Sequence, residues 1–210
     1  MLNASGHLAY ANRKAFEAAG IPSDVANPPG AEFVRTPDGE LTGEMKNNVA
    51  FLKVLSAAPA MSRLDPVGAV VHLLSDWGKL GLTTVSELSL GTLSASPDDA
   101  KILLAAGQSG KLKTRIRAYP FYTIGSENWD KAGVAPGGDD ALVRIAGYKL
   151  VADGSNQGFT GLQREPYLNS DSQGTAYMTA EEMRRTALDR ARRGWPLALH
   201  ANGDAGIDMV

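Results

Sequence analysis

The chain contains no cysteine and only three histidines in 210 residues. Without a thiol it has no thiolate zinc site, iron–sulfur cluster, cysteine nucleophile or disulfide staple. Any histidine-based chemistry must come from His7, His72 and His200. An excess of one charge is also missing: 21 basic residues face 23 acidic ones, for a formal net charge of -2. The basic residues are scattered, which argues against nucleic acid as the main partner. No apolar run approaches the roughly 20 residues of a membrane helix, so no membrane partner is expected. The opening residues carry no long apolar stretch of signal-peptide type. A chain without cysteine fits either side of a membrane, and the compartment stays open.

What is present is ordinary globular composition, 43% hydrophobic and 21% charged, in a chain long enough to bury a large core. Three helix starts stand out. Leu64-Asp65-Pro66 supplies a cap and a first-turn proline, and Val67, Val70, Val71, Leu74 and Trp77 then share a face. Ser96-Pro97-Asp98-Asp99 opens a second helix, with two acids at its positive end. Thr179-Ala180-Glu181-Glu182 reads as a capping box, followed by an apolar face of Met183, Ala187, Leu188 and Ala191 with arginines opposite. Short apolar segments alternate with these helices: Leu82 to Val85, Thr114 to Tyr119, Leu142 to Val151 and Pro196 to His200. That alternation predicts parallel β/α units. The first sixty residues differ. Glu32 to Arg35 followed by Thr36-Pro37-Asp38-Gly39 predicts a hairpin, and the spacing of Met45, Val49, Leu52 and Leu55 predicts a helix after it.

In parallel α/β proteins, chemistry gathers at the carboxyl ends of strands. Lys149 lies near the end of one such strand, before Asp153-Gly154-Ser155, and His200 ends another, before Asn202-Gly203-Asp204. An inward lysine among apolar neighbours needs a partner or a modification. Bland readings stand beside these. Lys149 can extend to water or pair with a loop carboxylate, His200 can be a core histidine bonded to backbone, and Asp153 and Asp204 can cap loops. His72 falls off the apolar stripe of its helix and reads as structural. Asp139-Asp140 has no acidic partner at a telling spacing. No nucleophile elbow, Walker loop or Rossmann glycine signature is present.

Five segments, taken in order, resemble the metal-dependent amidohydrolase superfamily, in particular amidohydrolase family 3, which includes N-substituted formamide deformylase. Gly6-His7-Leu8-Ala9-Tyr10-Ala11-Asn12 is similar to a D-G-H-x-x-x-x-N element, with Ser5 where the aspartate usually stands. Pro28 to Arg35 and Asp38 to Gly43 resemble the insert that follows it. Gly81-Leu82-Thr83-Thr84-Val85 resembles a G-I-T-T-V strand, with Glu87 near the usual acidic position. Tyr148 to Ser155 matches K-x-x-x-D-G-S, and His200 to Ala205 matches H-A-x-G-D-x-A. The resemblance spans essentially the whole chain.

The resemblance implies a (β/α)8 barrel and metal-assisted hydrolysis of an amide or related C–N bond in a small-molecule substrate. By it, Lys149 is a carbamylated lysine bridging the metals and His200 is a metal ligand, the two catalytic positions. His7 and Asp153 lie on the substrate side. The cofactor implied is a divalent metal, zinc for preference, as one or two ions. The family's H-x-H pair is absent, as are its later ligand histidine and final-strand aspartate. The chain is therefore expected to be an internal segment holding about half of the barrel strands. Residues 1–60 would form a small insertion subdomain with a hairpin and helix, and 61–210 a partial barrel. Such a segment is expected to be inactive and metal-free by itself. It is also expected to self-associate through an uncovered inner layer to which Leu82, Val85, Ile145, Leu197 and Leu199 contribute. The alternative is a non-catalytic regulatory or binding module on the same scaffold.

Overall fold

A computed structural model describes residues 1–3, 6–28, 31–58, 65–138 and 141–210. Ser5, the Pro29-Gly30 part of the insert motif, Leu64 and Asp139-Asp140 lie outside the described residues. The chain forms an α/β fold of two compact units. One comprises Met1–Leu64, Ala152–Thr179 and Ala201–Val210; the other comprises Asp65–Val151 and Ala180–His200. The expected division at residue 60 put 152–179 and 201–210 with the strands and helices, whereas by contact they group with the first 64 residues.

The first unit is built on an antiparallel sheet of β1 (Leu8–Tyr10), β2 (Glu32–Arg35) and β3 (Leu41–Lys46), in the order β1-β3-β2. The expected hairpin closes through Thr36. Its N–H donates to Glu40 O at 2.8 Å, and its own carbonyl accepts the Gly39 N–H at 2.9 Å. Gly39 sits at φ +86°, where a side chain would be strained. Helix α1 (Arg13–Ala18) starts at Asn12, whose side chain accepts the Ala15 N–H at 3.0 Å. Helix α2 (Asn48–Ser56) follows β3 directly. Met45, expected on that helix, belongs instead to β3, in register with Ala9 and Phe33. Short-range spacing favoured a helix there, but the two-residue period of the sheet buries Met45 with Ala9, Phe16, Phe33, Ala50 and Phe51.

In the second unit, helices and strands alternate as the sequence predicts. Helix α3 (Pro66–Lys79) leads to β4 (Thr84–Leu90), α4 (Asp99–Gln108) to β5 (Arg115–Pro120), and α5 (Ser126–Lys131) to β6 (Val143–Ile145) and β7 (Tyr148–Val151). Helix α6 (Ala180–Arg192) leads to β8 (Leu197–His200). Strands β4, β5 and β6 pair in parallel, as do β7 and β8, and a parallel bridge between Phe121 and Lys149 ties the end of β5 to β7. Between β6 and β7 the chain passes Gly147. A Cβ there would lie 2.5 Å from Pro196 O and 2.8 Å from the Tyr119 ring, so the close approach requires glycine.

Asp65 caps α3 as expected, accepting the Gly68 N–H at 2.9 Å. Asp99 does more than face a helix end. It is buried and accepts from Leu93 N, Ser94 N and the Ser94 hydroxyl, so it folds the preceding loop onto α4.

Helix α6 departs from its predicted face. Leu188 and Ala191 are exposed, while Met183 and Arg190 are buried. Arg190 donates to both oxygens of Asp130, at 2.8 and 2.9 Å, and to Asp189, and it lies over the rings of Tyr148 and Trp195. The hydrogen bond from Arg190 holds the Asp130 carboxyl below its ordinary range, and the Arg190 guanidinium is pushed correspondingly up. A full set of partners lets this arginine replace an apolar residue in the core.

Candidate metal-binding strand pair and a loop anchor

Lys149 and His200 sit on adjacent parallel strands. Lys149 is in register with Ala198, and Val151 with His200. Residues in register share a face, and so do residues two apart on one strand. Lys149 and His200 are therefore diagonal neighbours on one face, toward the carboxyl ends of β7 and β8, as the sequence predicts. Tyr148 and Leu150, on the opposite face, are fully buried.

Lys149 is 8% exposed. Burial alone pushes its ammonium below the ordinary value of 10.5, because a charged amine loses hydration there. Among the described residues no carboxylate forms an ion pair with it. His200 is half-buried. The pair suits part of a metal donor set, an imidazole nitrogen beside an amine that burial drives toward its neutral form. No group of three or more histidine, aspartate or glutamate side chains that could hold a metal ion exists among the described residues. His72, also expected to be structural, stands on the exposed surface of α3, 3.6 Å from Asp76.

The expected inner layer needs correction. Val85 and Ile145 are in register with Ile116 and Ala118, and Leu197 and Leu199 with Tyr148 and Leu150. On β7 and β8 that is the face away from Lys149 and His200. Leu82 precedes β4 and is 43% exposed. Leu197 and Leu199 share the face opposite Lys149 and His200, and Leu199 is 38% exposed there.

Asp153 lies in the first unit and has 0% exposure. Its Oδ1 accepts the Asn202 N–H at 2.8 Å, and its Oδ2 accepts the N–H groups of Leu162 and Gly203 at 2.7 Å each. Asn202 returns a bond from its side-chain amide to Gly154 O at 2.7 Å. The two glycine-containing motifs, Asp153-Gly154-Ser155 and Asn202-Gly203-Asp204, thus meet through one carboxylate. Gly203 is required at this junction, since a Cβ would overlap the Leu162 carbonyl. Asp153, expected to face substrate, has both carboxylate oxygens taken by backbone donors and acts as a loop anchor.

His7 lies in the first unit before β1. It is half-buried, and its carbonyl accepts the Asn47 N–H at 2.6 Å. Asp204 opens helix α7 (Asp204–Met209) and accepts the Arg164 N–H at 2.8 Å, while the Arg164 guanidinium is held bidentately by Asp208. Glu87 lies on β4 and accepts the Ser89 N–H at 2.6 Å. Sequence reasoning missed the arginines at 115, 117 and 144. Their signal was the alternation Arg-Ile-Arg in β5, matched by Val-Arg-Ile in β6.

A model of the amidohydrolase family matches residues 1–210. The chain belongs to the amidohydrolase family. It is 26% identical over 205 residues to YtcJ of Bacillus subtilis (strain 168), a protein that carries the name amidohydrolase, covering 97% of this chain and 38% of that protein. It is also 26% identical over 221 residues to Protein LONG AFTER FAR-RED 3 of Arabidopsis thaliana, covering 100% of this chain and 37% of that protein. The amidohydrolase chain thus spans a little under two fifths of the length of these relatives.

Two solved structures share its fold. An uncharacterized metal-dependent hydrolase from Pyrococcus horikoshii OT3 superposes with a TM-score of 0.69 at 22% identity, over 98% of this chain and 39% of that one. A second, from Pyrococcus furiosus, gives 0.68 at 20% identity, over 98% and 40%.

Proposed function

We propose that this amidohydrolase chain is part of a metal-dependent hydrolase that cleaves an amide or related C–N bond in a small molecule. In this reading β4 to β8 form about half of a (β/α)8 barrel. The observation that carries it is the diagonal placement of buried Lys149 and half-buried His200 on one face at the carboxyl ends of adjacent parallel strands.

Lys149 and His200 would hold the metal, zinc by family resemblance. When bound, a divalent metal supplies Lewis acidity toward water and the substrate carbonyl. The burial that disfavours the Lys149 ammonium favours the free amine, whose Nζ can add to carbon dioxide. That step forms an N–C bond, releases a proton and leaves an anionic carbamate with two donor oxygens. His200 offers a ring nitrogen beside it. Asp153 holds the 154–162 loop against residues 202–203. His7 is the candidate substrate contact.

The test is metal analysis and turnover of N-formyl and N-acyl amides in a chain of the relatives' length, with Lys149→Ala and His200→Ala beside the unaltered protein. Each variant is expected to lose metal by at least about tenfold, the scale seen when even outer-shell partners are removed, and to lose hydrolysis with it. Full metal content and turnover in Lys149→Ala would overturn the reading. A full-length protein with neither metal nor turnover would favour the non-catalytic module instead.

A further inference from the structure

Lys149 has an aromatic neighbour on the adjoining strand. Phe121 follows β5 in extended conformation, at φ -90° and ψ 137°, and pairs with Lys149 through the parallel bridge. Residues in register share a face, so Phe121 stands on the face of Lys149, one strand spacing of about 4.8 Å away. Tyr119, two residues earlier, lies on the same side of β5, and its ring comes up against Gly147 at the entry to β7. Ala118 and Pro120 are buried on the other side, whereas Tyr119 and Phe121 are half-buried. On its other flank Lys149 is in register with Ala198, a side chain of one methyl group. The face that carries Lys149 and His200 is thus walled by an aromatic ring on the β5 side. That ring is well held. The Phe121 N–H donates to Leu90 O at 3.0 Å, its carbonyl accepts Trp129 Nε1 at 3.1 Å, and its ring lies 5.0 Å from that of Tyr122 between centroids. A half-buried ring anchored in this way is a preorganised apolar surface.

We propose that Phe121 determines substrate specificity at the Lys149 and His200 site: its ring lies against an aryl group that the substrate carries next to its scissile C–N bond. This rests on the hydrolase reading, which sets that bond over Lys149 and His200. One strand spacing separates Phe121 from Lys149, a length that a substituent one or two bonds from the carbonyl covers. Aromatic rings pair offset or edge to face with centroids about 4.5–7 Å apart, which that spacing allows. A methyl group in the same place covers far less of the ring, so the class selected is aryl-bearing amides over acetamide-like ones.

The probes are phenylacetamide and N-benzylacetamide, which carry the ring on the acyl or the amine side, with acetamide as comparison, in a chain of the relatives' length. The unaltered protein is expected to favour at least one aryl amide over acetamide in kcat/KM. Phe121→Ala is expected to lower that ratio by at least about tenfold, the scale of one aromatic pair with the apolar area it covers. Phe121→Leu keeps apolar bulk without the ring and should recover part of the loss. A merely structural role would weaken turnover of all three amides alike and leave the ratio unchanged. Should Phe121→Ala fail to fold, Phe121→Leu must still lower the ratio measurably. Binding of the same three amides is read separately by ligand-detected NMR on chelator-treated protein, where the aryl amide should bind more tightly than acetamide and lose that advantage in Phe121→Ala. An unchanged ratio in a folded variant, or equal binding of aryl amides and acetamide by the unaltered protein, would overturn the proposal. If the unaltered protein turns over none of the amides, the hydrolase reading fails, and the binding measurement alone decides whether Phe121 selects an aryl group.

Discussion

The carboxylate of Asp153 accepts the backbone N–H of Gly203 at 2.7 Å, joining two segments 50 residues apart in the sequence. With Leu162 and Asn202 it receives three backbone donors in a site closed to water. Asp153→Ala leaves all three donors without their acceptor, and the expected loss of stability is about 3 kcal/mol or more. Asp153→Asn keeps the shape but turns an amide NH2 toward at least one backbone N–H, so it is also expected to destabilise. Urea denaturation measures both. A midpoint unchanged in Asp153→Ala would show that the junction contributes nothing to the fold.

Arg190→Ala removes the cation from a buried cluster and leaves Asp130 without its main partner. A loss of roughly 3–5 kcal/mol is expected, typical of breaking one side of a buried pair. The acid limb tests the same contact. Asp130 has a folded pKa held below its ordinary 3.8 by the Arg190 hydrogen bond. Its contribution is therefore present above about that value and is lost as pH falls through the lower folded value. Stability curves of Arg190→Met below pH 4 should be flatter than those of the unaltered chain, and parallel curves would count against the assignment.

Tyr122 gives the alkaline counterpart. Burial pushes its phenol up from 10.0 to about 12, so the fold prefers the neutral form. Its contribution is complete below the unfolded pKa and is lost as pH rises through the folded value. Tyr122→Phe is expected to reduce the fall in stability between those two values. Tyr148, also raised by burial, keeps part of the slope. Denaturation midpoints measured across this range decide it.

The isolated chain is expected to hold no stoichiometric zinc and to carry Lys149 without a carbamate. In the proposed reading Lys149 and His200 supply only two ligand positions, and metal affinity depends on ligand number and geometry. Elemental analysis together with intact-mass measurement checks this. A tightly bound metal pair would mean that further ligands come from residues not recognised as such.

Self-association also has a specific expectation. Among the described residues, β4 and β8 are terminal strands of their sheets, each with an edge on which a second chain can pair. A dimer formed by edge pairing should survive moderate salt. Light scattering of the unaltered chain measures this, and a stable monomer would count against it.

Much of the local structure was legible in the residues. Asp65 and Pro66 marked the start of α3, Thr36 to Gly39 marked the hairpin turn, and alternating segments marked the parallel strands, because caps and turns depend on a few neighbouring residues. Lys149 and His200 were legible as strand-end residues for the same reason. The face each strand buries was less legible. Val85, Leu197 and Leu199 look suited to an enclosed layer, yet register with Ile116, Tyr148 and Leu150 places them on the side opposite the functional candidates. Arg190 was assigned to solvent because its partner Asp130 is 60 residues away.

The sequence by itself determined the family, the order of helices and strands, and the presence of Lys149 and His200 at strand ends, since these follow from local pattern and motif order. Only the tertiary structure decided that Asp153 anchors loops rather than lining a surface. It alone decided that Arg190 belongs to the core and that Arg115, Arg117 and Arg144 share one face. Each depends on long-range pairing, where a shift of one residue in strand register turns every side chain to the other face.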